Sequence, residues 1–490
     1  MLTNKRSSRY SSLGLIVGIV GVGIGLLTGF LVGASPLLIG LPIFSVAVLV
    51  WFFAKFEQAV IGLLVLRSAL DTFSAQQLPA AFAVGLDGLA LLYVILSLLT
   101  GQSVKVDKFW WFFAGWVALQ GMWVILLPLG GLGLDSTYLL EGVREWTRLF
   151  SWLMVYLLVM QLQGKIKPQT LITTLFLSLI IPLTVASMQM FVPSLLPSFL
   201  SQGSLGTGNL EAASRIRGTL GHPSTFATFL LLFIGLTCWK ISNTRNRLPW
   251  LCLLAILAFF FVSTKALTMT AMLFMFVFVM IAPKLNLVNL IGGILLLGLV
   301  ITLFTSTDFG RERLGSLAET PLLNPDMDVW RAILLSWTDG NSFNWRIAQW
   351  HFMWEAWKNA PLLGYGLNTA SYVTVLQNEA HNDYLRALVE GGIVGFTTFL
   401  ALIAAQVYRL VHFMSKSEKN SSQQNFCFVL IALFSAILLG MFTDNIWKHT
   451  TLLFYWWLSL SVVGWDWNEI PSSENNINQF QVSYLNNERS

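Results

Sequence analysis

The chain has 490 residues, of which 55% are hydrophobic and 11% are charged. A soluble protein carries roughly 25% charged residues, whereas the mean hydropathy of this chain is +0.68. This composition excludes an ordinary soluble globular protein and indicates a protein embedded in a lipid bilayer. A nucleic-acid partner is not expected.

Apolar segments long enough to cross a hydrocarbon core of about 30 Å follow one another along the chain. They predict an all-α polytopic membrane protein with about 12–14 transmembrane helices. The third segment is short, and the first is too long for a signal-peptide core and is expected to be retained. The segments are residues 13–34, 37–54, 57–73, 80–100, 109–129, 147–163, 169–192, 223–241, 248–264, 266–282, 287–305, 384–411, 425–445 and 450–465.

These segments divide the chain into four predicted parts. Residues 1–305 carry transmembrane helices 1–11, and residues 384–465 carry helices 12–14. Between them, residues 306–383 form one large extracytoplasmic loop that contains amphipathic helices. The polar, Asn- and Ser-rich residues 466–490 are expected to form a disordered cytoplasmic tail.

The distribution of cations predicts the orientation. If the N-terminus is cytoplasmic and the helices alternate, the cytoplasmic loops are rich in Lys, as the positive-inside rule expects, and the C-terminus is also cytoplasmic. The cations on the outer side are mostly arginines, at positions 67, 144, 148, 215, 217, 311, 313, 331, 346 and 386. Because the planar guanidinium matches phosphate oxygens, this set indicates an anionic ligand outside. Ion pairing with nearby acids is the alternative, and Arg67 is expected to pair with Asp87 inside the apolar runs.

The stretch "SRIRGTLGHPSTF" places two arginines before a helix that Pro223 can start. Free backbone N–H groups at that helix start, beside Arg215 and Arg217, predict an anion site. The alternative is that both arginines neutralise Glu211 and lie at the membrane interface. Lys265, the one charge in the outer turn "STKALT", is a weaker candidate for the same site.

The outer loop contains an aromatic helix, predicted over residues 344–359 and ended by Pro361. Its predicted face carries Arg346 among aromatic and apolar side chains, namely Trp350, Met353, Trp354 and Trp357. Such a stripe is typical of packing or of a membrane interface, but an arginine within it needs a partner. The following "PLLGYG" is a Gly-rich turn that allows close backbone approach.

The stretch "AHNDYLRALVEGG" leads into the next apolar run. Asp383, Arg386 and Glu390 recur at helical spacings, so they can neutralise one another. His381 projects to the opposite side and has no charged partner there. A histidine exchanges a proton near neutral pH, so His381 is the candidate for proton transfer. A structural histidine that caps the helix is the alternative.

These stretches together resemble a known family. "HNDYLRALVEGGIVG", "RIRGTLGHP" and "NWRIAQWHFMWEAWKNAPLLGYGLNT" are similar, in this order, to the motifs of the O-antigen ligase and polymerase superfamily, over about residues 30–465. The resemblance implies a metal-independent glycosyltransferase of the C-type membrane fold, with no cofactor. Such enzymes move or polymerise a glycan from an undecaprenyl diphosphate carrier on the outer face of the inner membrane. The acceptor is a glycan, a lipid or a protein.

The resemblance also implies roles for individual residues. Arg215 and Arg346 would hold the donor diphosphate, and His381, followed by Asn382, would act on the acceptor hydroxyl. Two positions depart from the family. Thr264-Lys265 stands where the family often has Ser-Arg, and His222, a weaker candidate base, stands where it often has Asn. A transporter or permease for a small anion and a structural or assembly protein are the competing interpretations.

Overall fold

A computed structural model describes residues 47–129, 136–197, 199–200, 215–286, 326–338 and 342–468, with isolated positions between 288 and 324. This part of the chain is helical, with an isolated β-bridge between Gln163 and Ile166 and no strand. The predicted all-α fold is confirmed. The predicted segment 13–34 lies outside the described residues, as do most of the segment 287–305 and of the tail 466–490.

The described helices follow the predicted segments closely. Residues 47–54 form α1. The helices after it are α2 (Phe56–Leu66), α3 (Leu78–Leu99), α4 (Lys108–Leu129), α5 (Leu139–Met160), α6 (Pro168–Phe191), α7 (Pro223–Asn243), α8 (Leu248–Ser263), α9 (Leu267–Ile281), α10 (Val329–Thr338), α11 (Ser342–Asn359), α12 (Asp383–Lys416), α13 (Ser422–Thr443) and α14 (Thr450–Val463). The predicted third segment is α2 followed by the 3-10 turns Arg67–Ala69 and Asp71–Gln76.

Several helices are suited to a membrane by length and composition. Among the described residues, α3, α6, α7, α12 and α13 are long and apolar enough to cross a bilayer, and α8, α9 and α14 are shorter apolar helices. A helix that is apolar on all sides is expected to be buried. Accordingly, α14 is enclosed by other helices, and its Tyr455, Trp456 and Trp457 are at most 1% exposed.

Helix α12 is broken near its start by the "PLLGYG" segment. Gly392 has φ +60° and ψ −164°, outside the helical range. The N–H groups of Tyr365 and Gly366 donate to the carbonyls of Val389 and Glu390, at 3.1 and 2.9 Å. Beyond the break, the N–H group of Ile393 donates to the Pro361 carbonyl at 2.8 Å. The close backbone approach predicted for this turn is confirmed, and it satisfies main-chain groups that a membrane cannot hydrate.

The two ends of the helical bundle carry different cations. Arg215 precedes the start of α7, whereas Lys240 lies in its last turn and donates to Thr173 at 2.7 Å. Likewise His381 precedes α12, and Lys416 ends it. The arginine and histidine candidates therefore lie at the end of the bundle opposite to these lysines.

One predicted ion pair and one predicted helix face differ in the structure. Arg67 pairs with Asp71 at 2.5 Å, and Ser151 donates to Asp87 at 2.5 Å, so the predicted pairing of Arg67 with Asp87 is wrong. The 3-10 turns after α2 bring Asp71 against the Arg67 guanidinium. The aromatic face of α11 is also divided, because Met353 is fully buried whereas Trp354 is 45% exposed.

Candidate active site

His381 is held beside the first turn of α12 by the turn that connects α13 to α14. Its φ is +46°, and its main-chain N–H donates to the Asn445 side chain at 2.8 Å. The helix cap is the next residue, Asn382, whose side chain accepts the N–H of Leu385 at 3.0 Å. His381 is therefore not the cap of α12, and its imidazole is available for another role.

The His381 imidazole is paired with a carboxylate that the sequence did not indicate. Nδ1 of His381 lies 3.2 Å from Oδ1 of Asp444, and the His381 side chain remains 28% exposed. Burial alone would raise the pKa of Asp444, but the hydrogen bond from His381 and the Asn445 N–H hold that pKa well below its usual range. An ionised carboxylate only accepts hydrogen bonds. Nδ1 of His381 therefore donates, and its Nε2 is left to take a proton.

Two more histidines lie near this pair. The His222 ring accepts the N–H of Ser224 at 3.2 Å and so caps α7. Desolvation by the surrounding protein, and then the charge of Arg215, lower the pKa of His222. His449 is only 7% exposed, and its Nδ1 lies 3.0 Å from the Thr228 hydroxyl in α7. Burial, opposed by the charge of Asp444, lowers the pKa of His449 to about 4.

The two predicted anion-binding stretches meet in the structure. Nε of Arg215 donates to the carbonyl of Thr264 at 3.0 Å, and Thr264 precedes Lys265, which has φ +51°. The loop that carries Arg215 is anchored by the buried amide of Gln189, which accepts the N–H groups of Arg217 and Gly218 at 3.1 and 2.9 Å. Arg215 and the turn that carries Lys265 thus form one cationic corner beside the start of α7.

Arg217 occupies a different environment from Arg215. It is 7% exposed, and its guanidinium donates to the carbonyls of Gly221 and Phe199 at 3.3 and 3.4 Å. Burial lowers its pKa. These contacts indicate that Arg217 shapes the loop, whereas Arg215 contacts the turn that carries Lys265.

Helix α11 approaches His381 from the predicted outer loop. Gln349 and Trp350 donate to the carbonyls of Asn378 and Ala380, at 2.7 and 2.8 Å. The indole of Trp345 contacts the His381 ring edge-on, with centroids 5.7 Å apart. Arg346, the next residue, is half-buried. The predicted Arg346 therefore lies on the helix that covers the proton-transfer candidate.

The acidic residues of α12 are neutralised, as predicted. Nε of Arg386 lies 3.3 Å from Asp383, and its Nη1 lies 4.0 Å from Glu390 and 3.5 Å from Glu145 of α5. Glu145 also pairs with Arg148. Three members of this buried cluster, Glu145, Arg386 and Glu390, line a small cavity, together with Gln120 and Trp447, among other residues. The cluster stabilises the start of α12. Its member Glu145 belongs to α5, so the helical spacing within α12 could not predict it.

Asp444 and His449 are functional candidates that the sequence reasoning missed. A signal was present, because "TDNIWKHT", Thr443 to Thr450, places Asp, Asn, Lys and His between two apolar runs on the predicted outer side. Among the described residues, no group of three or more His, Cys, Asp and Glu side chains is arranged to hold a metal ion. The stretch contributes Asp444, the carboxylate partner of His381, to the end of the bundle where Arg215 and Lys265 lie.

Comparison with known proteins agrees with these features. Residues 230–400 match the O-antigen ligase family, a segment that includes Lys265, Arg346 and His381. Proteins of Rickettsia conorii and Rickettsia felis, provisionally named polysaccharide ligases, are each 26% identical to the chain over 132 residues. The alignment spans 24% of this chain and 29% of the length of each relative. With the apolar helices, the family match confirms the resemblance that the motifs indicate: this is a membrane-embedded protein whose residues 230–400 are similar to O-antigen ligases.

Proposed function

We propose that the chain is a membrane glycosyltransferase that moves or polymerises a glycan from an undecaprenyl-diphosphate-linked donor. The reaction takes place on the outer face of the inner membrane and needs no metal. The observation that carries the proposal is the His381–Asp444 pair. It lies at the end of the bundle where Arg215 meets the turn that carries Lys265. Family similarity over residues 230–400 supports glycan ligation.

The site supplies the two functions that such a transfer requires. Nε2 of His381 takes the proton of the acceptor hydroxyl, whose oxygen attacks the anomeric carbon of the donor sugar. The bond from that carbon to the diphosphate oxygen breaks, and the diphosphate leaves with the electron pair. Arg215, Lys265 and Arg346 converge on the leaving group and stabilise its charge. Asp444 stabilises the imidazolium that forms on His381.

The bilayer and the acceptor are the further partners in this proposal. The acceptor is a glycan, a lipid or a protein. Both termini lie in the cytoplasm, and residues 306–383 lie outside it, so that α11 and His381 reach a lipid-linked donor delivered to the outer face. This orientation follows from the predicted topology, in which Lys is enriched in the cytoplasmic loops and Arg on the outer side.

A transporter for a small anion is the alternative, and the break in α12 bears on it. Interrupted helices are typical of transporter substrate sites. In this chain, however, the break at Gly392 is filled by main chain from residues 361–366. The buried Arg67 is held by Asp71 and Thr450. The break and the buried Arg67 are thus already occupied by the protein's own groups. The ionisable groups of the candidate site lie instead at one end of the bundle, which favours the enzyme.

The glycosyltransferase and the transporter can be distinguished with purified protein in sealed vesicles. Lipid-linked glycan extracted from cells that lack this protein serves as the donor, together with membranes of the same cells as the acceptor source. We expect release of undecaprenyl diphosphate in step with glycan transfer, unchanged by a chelator. Accumulation of labelled phosphate inside the vesicles, without consumption of the donor, would instead establish the transporter.

A further inference from the structure

The turn from Asp444 to His449 is fixed to its surroundings at several points. Lys448 pairs with Glu379 at 2.5 Å, and the main-chain N–H of Trp447 donates to Asp383 at 2.8 Å. Asn445 binds the main chain of His381. These contacts attach the turn to the segment that leads into α12. The contact between His449 and Thr228 differs, because it attaches the same turn to α7.

The hydrogen bonds around Thr228 define the state of His449. The Thr228 hydroxyl donates to the carbonyl of Thr225 at 3.0 Å. A hydroxyl has one hydrogen, so its oxygen accepts from the ring, and Nδ1 of His449 carries the proton. Thr228 is fully buried and His449 nearly so. The contact with Thr228 thus fixes a proton on Nδ1, and burial lowers the pKa of His449 to about 4, so the ring is neutral.

We infer that His449 is a positioning residue for the transfer reaction: through Thr228 it fixes the Asp444–His449 turn to α7, and so places Asp444 against His381. The inference rests on the proposed function, because it assigns a role within the same reaction. Helix α7 begins directly after the loop that carries Arg215. The contact between His449 and Thr228 therefore links the acid–base pair to the cationic corner.

A neutral imidazole is suited to this position. The bond between His381 and Asp444 is 3.2 Å long, near the upper end of the range for N–H···O bonds, so a small movement of the turn breaks it. A cation at position 449 would compete with His381 for the Asp444 carboxylate. A neutral Nδ1–H donor holds the turn without that competition. Displacement of a catalytic group by about 1 Å can cost about 100-fold in rate.

The test compares four variants of the full-length protein in the vesicle assay: His449→Ala, His449→Asn, Thr228→Val and the double variant His449→Ala with Thr228→Val. The amide nitrogen of Asn occupies the place of Nδ1 and can donate to Thr228. We expect His449→Ala to lower kcat about 10- to 100-fold, with the donor KM nearly unchanged. His449→Asn should recover most of the activity. Thr228→Val should match His449→Ala, and the double variant should be no worse.

Three results would overturn the inference. One is wild-type kcat in His449→Ala. Another is a loss of protein from the membrane with full kcat per folded molecule, which would show a purely structural role. The third is additive losses in the double variant. If His449→Ala does not fold, His449→Asn and Thr228→Val are compared instead. A higher kcat in His449→Asn supports the inference, and equal kcat values in the two variants contradict it. Absence of transfer by the wild-type protein would instead reject the proposed function itself, and the inference with it.

His412→Ala is the matched control for the loss of an imidazole. His412 lies in α12 near its other end, stacked on Tyr408 with ring centroids 5.5 Å apart. We expect its kcat to equal that of the wild type. A comparable loss of kcat in this control would contradict a role specific to His449.

Discussion

At the scale of single residues, His381 shows how a strained position is maintained. Its φ of +46° costs a residue with a Cβ roughly 1–3 kcal/mol. The side chains of Asn445 and Asp444 hold its main chain and its ring. Strain of this kind is retained where the surroundings fix it, and it is frequent at functional sites. The position of the imidazole is therefore set by residues outside α12.

The two neighbouring arginines are expected to respond differently to substitution. Arg215→Lys should lower kcat/KM for the donor at least about 10-fold, because a point charge cannot reproduce the guanidinium fork. Arg217→Lys should mainly lower the amount of folded protein, because Arg217 is buried against main-chain carbonyls. Kinetics normalised to protein amount separate the two effects. Equal loss of kcat/KM in both variants would contradict the distinction.

At the scale of elements, the break in α12 depends on two glycines, Gly392 in α12 and Gly364 in the "PLLGYG" segment, each of which lies against the main chain of the other segment. A Cβ on Gly392 would lie 2.3 Å from the Leu362 carbonyl, and one on Gly364 would lie 2.5 Å from the main chain of Glu390. Both residues also have positive φ. No side chain can be accommodated there unless the "PLLGYG" segment moves away from α12.

Substitution of Gly392 should therefore destabilise the protein. We expect Gly392→Ala to lower the free energy of unfolding by about 2 kcal/mol or more, measured as a lower melting temperature in detergent. Gly115→Ala in α4 is the control, because nothing lies within 4 Å of a Cβ at that position. A melting temperature of Gly392→Ala equal to that of the control would show that the break tolerates a side chain.

Most of the described helices were predictable to within a few residues, because an apolar run of this length is best accommodated as a membrane-spanning helix. The exceptions are α5, predicted over 147–163 but beginning at Leu139, and α2, predicted over 57–73 but ending at Leu66. The pairing of Asp383, Arg386 and Glu390 was also predictable, since it follows helical spacing. The break in α12 was not, because it is made by residues of a different segment. Glu145, which joins the Arg386 cluster from 241 residues away, has no local sequence signal either.

At the scale of the whole molecule, the site is assembled from distant parts of the chain. His381 and Asp444 are 63 residues apart, and His449 and Thr228 are 221 apart. Sequence patterns singled out His381, Arg215 and Lys265 as chemically unusual within their own segments. They could not show which segments meet, so Asp444 and His449, which follow the end of α13, were missed.

Orientation in the membrane can be tested by labelling with a membrane-impermeant thiol reagent in intact cells. In a variant without the native Cys238, Cys252 and Cys427, single cysteines are introduced by Ser342→Cys in α11 and Ser417→Cys after α12. We expect Ser342→Cys to be labelled and Ser417→Cys to be protected until the cells are opened, because α11 is predicted to lie outside. The reverse pattern would place the site in the cytoplasm.

The most direct measurement is glycan transfer per folded molecule by His381→Ala, with His412→Ala as the control. Removal of a general base typically costs about 10²- to 10⁴-fold. We expect a loss in that range for His381→Ala, with near-normal protein in the membrane and wild-type activity in His412→Ala. If His381→Ala keeps most of its specific activity, His381 is not the base, and His222 is the next residue to test.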